Sequence, residues 1–569
     1  MFIVNLFANG DHVCIAWRPA GATAANWTVV ADCLGFAIER RLARNGQTQT
    51  SWLRNRIGFH ENEVPPAPAE AWRWPIQRYM WWDYDVEPGD QVAYRVVPVL
   101  RGAAGLIQPN SSQTPWSAPV NIGADAGGNV SAWFNRGVVA TQWVARALKA
   151  RQDAGTPKST LMKAVATVGD PLREALAGHL KPALLELLRN PPGHVYAALY
   201  ELNDPEIIDA FVALGNRCHM ILGNGAFKAP ETDENEIIRG KLRETEIDLH
   251  DRIVGSGHYA HNKFIVFCDA ADNAVSVWTG STNLTVTGLC TQVNNGLLVS
   301  DPAVASDYLM AWRRLERAGN GYGGTLIADN STAETHVEDD GSEKITAWFA
   351  ATSHAQDLEF ARDLIDKASD GILFLFFNPG VHVNEPFKET LLQTIIEKKA
   401  KDPIYVRGVV NQEIEGLTEG AASAPVNLVH SGAADSDHLP KSVLVPSAIA
   451  KEYGDWEAEL KGASSVMVHS KVVVLDPFGD RPVVMTGSHN LGFKASSKND
   501  DNLIIIQGNA KLAQAYAANI VAIFQEYRWR DYVANHQNGG WRGLEDNDSW
   551  QKGHLEREAA EMMFWVPEQ

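Results

Sequence analysis

Two short stretches of this 569-residue chain carry the same polar residues in the same order. The first runs His261-Asn262-Lys263, then Asp269, then Gly280-Ser281-Thr282-Asn283. The second runs His469-Ser470-Lys471, then Asp476, then Gly487-Ser488-His489-Asn490. The step from Asp to Gly is 11 residues in both. Apolar runs surround each His-x-Lys, as expected of strands, and period 2 puts His and Lys on one face. Phe264, Val266, Val472 and Val474 then face the other way, into packing. The glycines permit a tight turn and close backbone approach. Serine and asparagine beside them offer neutral hydrogen-bonding groups. One His-x-Lys alone is usually an exposed strand face, and one Gly-Ser-x-Asn is usually a turn. Their joint recurrence makes a duplicated unit.

The duplication extends beyond the motifs. "SAWFNRG" at 131–137 recurs as "TAWFAAT" at 346–352, each followed by a helix-like stretch and an apolar strand ("HVYAALYELND", "GILFLFFNPG"). Nine residues past each motif asparagine comes a further strand-like segment, "QVNNGLLV" and "NDDNLIII". Strands alternating with amphipathic helices predict an α/β fold from 131 to about 535, built as two copies. The first 120 residues differ. Short β-rich runs such as "GDHVCIAWRP" and "GDQVAYRVVPVL", punctuated by Gly, Asp and Pro, predict an all-β sandwich. The expected boundaries are an N-terminal domain at 1–122, halves at 131–335 and 340–540, and a C-terminal tail at 541–569.

Bulk properties narrow the classes. A net charge of −19 argues against a general nucleic-acid binder. No apolar run approaches the ~20 residues that span a bilayer. The start, "MFIVNLFANGDH", lacks a basic n-region and is interrupted by Asn5 and Asn9, so no secretory signal is expected. A cytoplasmic location follows, with leaderless export left open. The five cysteines (14, 33, 218, 268 and 290) form no CxxC pair and fit free thiols in a reducing compartment.

The paired motifs resemble those of the phospholipase D superfamily, and the N-terminal runs, with Trp17 and the Tyr94-Arg95-Val96 alternation, loosely resemble a fibronectin type III sandwich. The superfamily resemblance implies two pseudo-symmetric α/β/α halves sharing one active site at their seam. It implies catalytic roles for His261, Lys263, His469, Lys471, Asp269 and Asp476. The first motif has one extra residue between Lys263 and Asp269, which a bulge would absorb. Phosphate-binding roles fall to Ser281, Asn283, Ser488 and Asn490. The resemblance also implies that His261 attacks phosphorus, forming a phosphohistidine, and that His469 protonates the leaving oxygen.

These residue types suit that chemistry. Two lysines neutralise the nonbridging oxygens of an anionic diester. Imidazole serves as nucleophile or as acid near neutral pH. Family members place a carboxylate on the strand after the Gly-Ser-x-Asn turn; Asp501 stands there in the second half and Asn294 in the first. If each holds the histidine of its own half, His469 gains a carboxylate and becomes the more easily protonated. No metal-ligand spacing appears and no cofactor is expected; His258 and His489 read as loop histidines.

The motifs do not distinguish lipid from nucleic-acid diesters. Charge sums to −1 over residues 251–300 and +1 over 461–510, without the added Lys or Arg of a phosphate-tracking groove. A phospholipid or other small diester is therefore favoured over DNA or RNA, which stays the alternative. Trp72, Trp74, Trp81 and Trp82 suggest either core packing or a membrane-contact surface. With both halves in one chain, a monomer suffices for catalysis.

Overall fold

A computed structural model of the chain describes residues 2–23, 25–27, 29–55, 57–59, 69–102, 105–107, 113–137, 151, 161–226, 233–337, 341–379, 390–411, 428–429, 443–444, 467–535 and 543–567. Two compact units emerge: Met1–Ala124 together with Trp529–Gln569, and Asp125–Arg528.

The first unit is mainly antiparallel β. Strands Phe2–Ala8, Val13–Pro19 and Met80–Asp83 form one sheet. Strands Val120–Asn121, Gln91–Gly102, Cys33–Arg44 and Gln47–Trp52 form another in that order, with Gly105–Ile107 also on Gln91–Gly102. Trp17, Phe36, Tyr79 and Tyr94 are buried. Helix Trp550–Trp565, from the segment expected to be a tail, packs into this unit. Trp550 lies 5.6 Å from Tyr79 and 5.9 Å from Phe36 between ring centroids, and Trp565 lies 5.2 Å from Phe7. The Arg18 guanidinium, itself buried, donates to the Val566 carbonyl at 2.5 Å. Trp72, Trp74, Trp81 and Trp82 are half-buried.

The second unit holds two large sheets that correspond in order over eight strands, the second carrying Leu428–Val429 as a ninth. The first orders Asp125–Gly127, Val130–Phe134, Asn295–Val299, Ala274–Gly280, Lys263–Cys268, Val195–Leu199, Cys218–Gly223 and Asp248–Arg252. The second orders Thr335–Val337, Lys344–Phe349, Asn502–Gln507, Val483–Gly487, Val472–Leu475, Gly371–Phe376, Tyr405–Val410, Val443–Leu444 and Leu428–Val429. Central strands such as Lys263–Cys268 and Val472–Leu475 are buried throughout. That is why their sequences are continuous apolar runs rather than alternations. On one face Ile265, Phe267 and Trp278 meet helices Leu180–Arg189 and Pro205–Leu214. In the other half Val473, Leu475 and Met485 meet helices Gln356–Lys367 and Leu391–Lys401.

Helix Pro302–Ala318 and the long helix Ala510–Asn535 tie the halves together. The first is set by Asp301, whose carboxylate accepts from the amides of Ala303 and Val304, and by Pro302 in the first turn. Its buried residues recur at helical spacing: Val304, Tyr308, Ala311, Trp312 and Leu315. Tyr308 packs edge-on against Phe264 of its own half and Phe349 of the other, at 5.1 and 4.9 Å. Tyr516 of the long helix meets Phe134 of the first half at 5.0 Å. Thus each half sends a tyrosine to the Ala-Trp-Phe strand of its counterpart.

Candidate active site

Lys263 opens its strand and pairs in register with Leu199, while Val472, just past Lys471, pairs with Leu375. The histidines stand two residues before their lysines, on segments that leave their own sheet and reach the other half. Tyr259 bridges Asn499, and Asp500 N donates to Tyr259 O at 2.8 Å. On the opposite side Val293 bridges Val468, and His469 N donates to Val293 O at 3.0 Å. Both segments are therefore pinned across the seam.

All four expected groups are buried: His261 and His469 are 6% and 4% exposed, Lys263 and Lys471 are 4% and 0%. Aromatic side chains that the sequence did not signal wall them in. The Tyr200 ring lies 4.7 Å from the His261 ring and 4.8 Å from Lys263 Nζ. Phe377 lies 4.6 Å from the His469 ring and 4.8 Å from Lys471 Nζ. Each follows directly on an apolar strand, where a further aromatic looks like more core. Glu201, next to Tyr200, accepts from Asn283 Nδ2 at 2.9 Å.

The histidine partners are exchanged relative to the expectation. His261 Nδ1 bonds Asp501 Oδ1 at 2.7 Å, and His469 Nδ1 bonds Asn294 Oδ1 at 3.0 Å. Each histidine is held by the strand of the other half, because its segment crosses the seam to reach it. Asp501 can only accept, so His261 Nδ1 carries the proton and Nε2 the lone pair. Asn294 Nδ2 is engaged by the Gly288 carbonyl at 2.9 Å, which fixes Oδ1 toward His469. The carboxylate thus backs His261, not His469, and the inference that His469 is the more easily protonated is overturned.

The electrostatics follow the geometry. Burial, then Lys263 and Lys471, lower His261 to about 4, against the opposing pull of Asp501. His469 falls well below the usual imidazole value through burial, with Lys471, Lys263 and His261 adding to the shift. Both lysines are also lowered by burial, and Lys471 further by Lys263, while Asp501 and Glu201 oppose. Despite burial, His261 and other neighbouring positive charges hold Asp501 below the carboxylate range. The two ammonium and two imidazole groups accordingly lie within electrostatic reach of one another.

The motif serines turn inward. Ser281 Oγ donates to Asn294 Oδ1 at 2.8 Å, and Ser488 Oγ donates to Asp501 Oδ1 at 2.6 Å. Both serines are 0% exposed. Their hydroxyls orient the groups behind the histidines, where a direct phosphate contact was expected. A Cβ on Gly280 or Gly487 would strike the carbonyl of Asn295 or Asn502, and both glycines have φ near +136° (135° and 137°). Glycine is thus required at the turn. Asn295 and Asn502, next in sequence to Asn294 and Asp501, also cross the seam. Asn295 Nδ2 donates to Thr486 Oγ1 and Tyr516 OH at 3.0 and 2.9 Å. Asn502 Oδ1 accepts from Thr279 Oγ1 and Tyr308 OH at 2.7 and 3.2 Å. The side-chain oxygens of Asn283 and Asn490 are buried without a hydrogen-bond partner among the described residues.

Asp269 and Asp476 do not join the site. At ~3.3 Å per residue they stand roughly 20 and 17 Å along their strands from Lys263 and Lys471. Asp269 accepts from the amides of Ala271 and Asn273, organising a turn. Asp476 accepts from the amides of Ser369, Asp370 and Gly371 and so fixes the start of strand Gly371–Phe376. The resemblance placed them in the motif, but strand length carries them away. His489 is a buried residue 2.9 Å from Asp357, not an open loop histidine. His258 Nδ1 lies 2.6 Å from the Lys498 carbonyl. Among the described residues no group of three or more His, Cys, Asp or Glu is arranged to hold a metal.

Residues 362–524 match the family model described as cardiolipin synthase, PLD-like domain. No curated protein matches the chain. Among solved structures, the phosphatidylserine synthase of Haemophilus influenzae Rd KW20 is 13% identical, with 68% of this chain and 94% of that one covered and a TM-score of 0.42. The phospholipase D family member Nuc from Salmonella typhimurium is 20% identical, covering 25% and 90%, with a TM-score of 0.22. The polyphosphate kinase of Porphyromonas gingivalis is 9% identical, covering 89% and 74%, with a TM-score of 0.38. The fold is the expected α/β one: an all-β region precedes two α/β halves, and the second half contains the stretch that matches the PLD-like family model.

Proposed function

We propose that this chain is a phosphodiesterase of the phospholipase D type, acting on a phospholipid headgroup diester through a covalent phosphohistidine. The observation that carries this is the buried cluster in which His261, backed by Asp501, and His469 stand within electrostatic reach of Lys263 and Lys471.

A diester phosphate entering this pocket meets two ammonium groups that neutralise its nonbridging oxygens without needing a metal. His261 Nε2 attacks phosphorus. The bond to the leaving alcohol breaks, and His469 passes its Nε2 proton to that oxygen. The substrate's negative charge favours the imidazolium form of His469 needed for this step. Water, or an acceptor alcohol, then attacks phosphorus while His469 takes its proton, and the P–N bond breaks. Asp501 keeps the His261 tautomer with its lone pair toward the pocket and offsets the positive charge of the phosphorylated ring, as in serine hydrolase triads. The role of nucleophile thus rests on tautomer and charge compensation rather than on the resting pKa.

A lipid substrate is favoured over nucleic acid by the near-neutral charge of the motif regions and the overall charge of −19. The domain assignment accompanying this proposal is a fibronectin type III-like sandwich over 1–122 and catalytic halves over 131–335 and 340–540.

The test is a substrate panel in EDTA: choline- and ethanolamine-phospholipids against single- and double-stranded DNA. Phospholipid cleavage by the wild type and its loss in His261→Ala are expected. Cleavage of DNA alone would move the enzyme to the nuclease class, and activity surviving in His261→Ala would end the mechanism. A phosphorus-labelled adduct should accumulate in His469→Ala and be absent from His261→Ala.

A further inference from the structure

We propose that Arg252 is a positioning residue for the His261–Asp501 pair, acting across the seam through Asp500; this rests on the nucleophilic role proposed for His261. Arg252 ends strand Asp248–Arg252 at the edge of the first sheet. Its guanidinium grips Asp500 of the second half with two parallel bonds, Nε to Oδ2 at 2.8 Å and Nη2 to Oδ1 at 3.0 Å. The side chains are 1% and 2% exposed. Nη1 donates to the carbonyls of Gly321 (2.8 Å) and Gly319, and the guanidinium lies 4.8 Å from the Tyr322 ring centroid.

Asp500 immediately precedes Asp501 in sequence. Its backbone amide is the one that bonds Tyr259, two residues before His261. The clamp therefore fixes both strands of the junction that brings Asp501 to His261. On the His469 side, the corresponding junction at Val293 is made by backbone bonds and Ser470 Oγ. A buried ion pair of this kind adds little net stability over apolar packing, yet breaking it is costly. Among the described residues the clamp occurs on the His261 side alone, which points to positioning rather than general stabilisation.

Charge gives the clamp a second effect. Asp500 and Asp501 are adjacent buried carboxylates, and each disfavours ionisation of the other. Arg252 neutralises Asp500, leaving Asp501 free to serve His261. The charged or titratable groups around this array are Lys263, Lys471, His469 and Tyr200 near His261, Glu201 beside Tyr200 and acting on both lysines, His489 near Asp501, and Tyr322 beside Asp500.

The experiment measures phosphoenzyme formation against pH in the full-length wild type, in Asp500→Asn, and in the double variant Arg252→Gln with Asp500→Asn. Neutral His261 is the attacking form, so its pKa sets the acidic limb. Asp500→Asn leaves the Arg252 charge uncompensated, disfavours imidazolium and moves the limb to lower pH, by about half a unit or more. It also slows adduct formation by about tenfold through loosened geometry. The double variant removes both charges while keeping polar side chains of similar size. Its limb returns toward the wild-type position. A limb that stays put in Asp500→Asn, or a double variant no nearer wild type than the single, overturns the proposal. Absence of any phosphoenzyme in the wild type would instead overturn the proposed mechanism, and this inference with it.

Discussion

At the level of single residues the site is defined by what stands behind each histidine. Asp501→Asn keeps the shape and the bond to His261 but removes the charge that compensates a phosphorylated ring. Phosphoenzyme formation is expected to fall by roughly 10²- to 10⁴-fold, in stopped or quenched single turnover; a change under threefold would separate Asp501 from the chemistry. The resting protonation also bears on stability. The fold holds His261 and His469 below their ordinary pKa, so the unfolded chain takes up protons first as pH falls below about 6.5. The stability contributed by neutral imidazoles is therefore present above that pH and lost progressively down to the folded values, about 4 for His261. Lys263 and Lys471 are lowered too, and an anion between them favours their charged forms. Orthophosphate binding at pH 8 should accompany net proton uptake. Calorimetry in two buffers of different ionisation enthalpy reads this directly, and zero uptake would mean the lysines are already charged.

Much of this constellation was legible in the sequence because it occurs twice. His261, Lys263, His469 and Lys471 stand in a fixed relation to strands that any period-2 pattern reveals. Asp501 and Asn294 were recognisable as the groups behind the histidines. Their pairing was not, since strand parity says which face a residue occupies and nothing of which half it meets. Asp269 and Asp476 were misassigned for the complementary reason: a short separation from the lysines in sequence is compatible with opposite ends of one strand. Arg252 registered only as one basic residue in a charge count.

At the level of elements, the seam depends on exchanged tyrosines. Tyr308 and Tyr516 donate aromatic surface to the opposite half and reach Asn502 and Asn295, which flank the catalytic turn. Tyr308→Phe and Tyr516→Phe each remove one buried hydrogen bond while preserving the ring. Each should cost about 1 kcal/mol by chemical denaturation, with a lower phosphoenzyme rate because Asn295 and Asn502 lose a support. Stability loss with an unchanged rate would show that the seam and the chemistry are uncoupled. The repeat of Ala-Trp-Phe was visible in sequence, and so were the helices. What the Phe met was not, because an amphipathic stripe does not name its partner.

For the whole molecule, the division into two units separates their energetics. Helix Trp550–Trp565 belongs to the N-terminal β unit although most of the chain intervenes. Trp565→Ala opens a cavity in that unit and should cost it about 3–5 kcal/mol. Scanning calorimetry with and without phosphate distinguishes the units. The substitution should lower one transition, while phosphate raises the other. A single transition moved by both perturbations would mean the units unfold together.

The halves share one order of strands, but a carboxylate, Asp501, backs one imidazole while an amide, Asn294, backs the other, and Glu201 and Asp500 stand where Asn378 and Val293 occupy the equivalent positions in sequence. A scaffold with two-fold symmetry has thereby acquired a polarity, and a diester can react in one sense of travel. Exchanging the backing groups, Asn294→Asp with Asp501→Asn, would turn that polarity around, and the phosphorus label would then be found on His469.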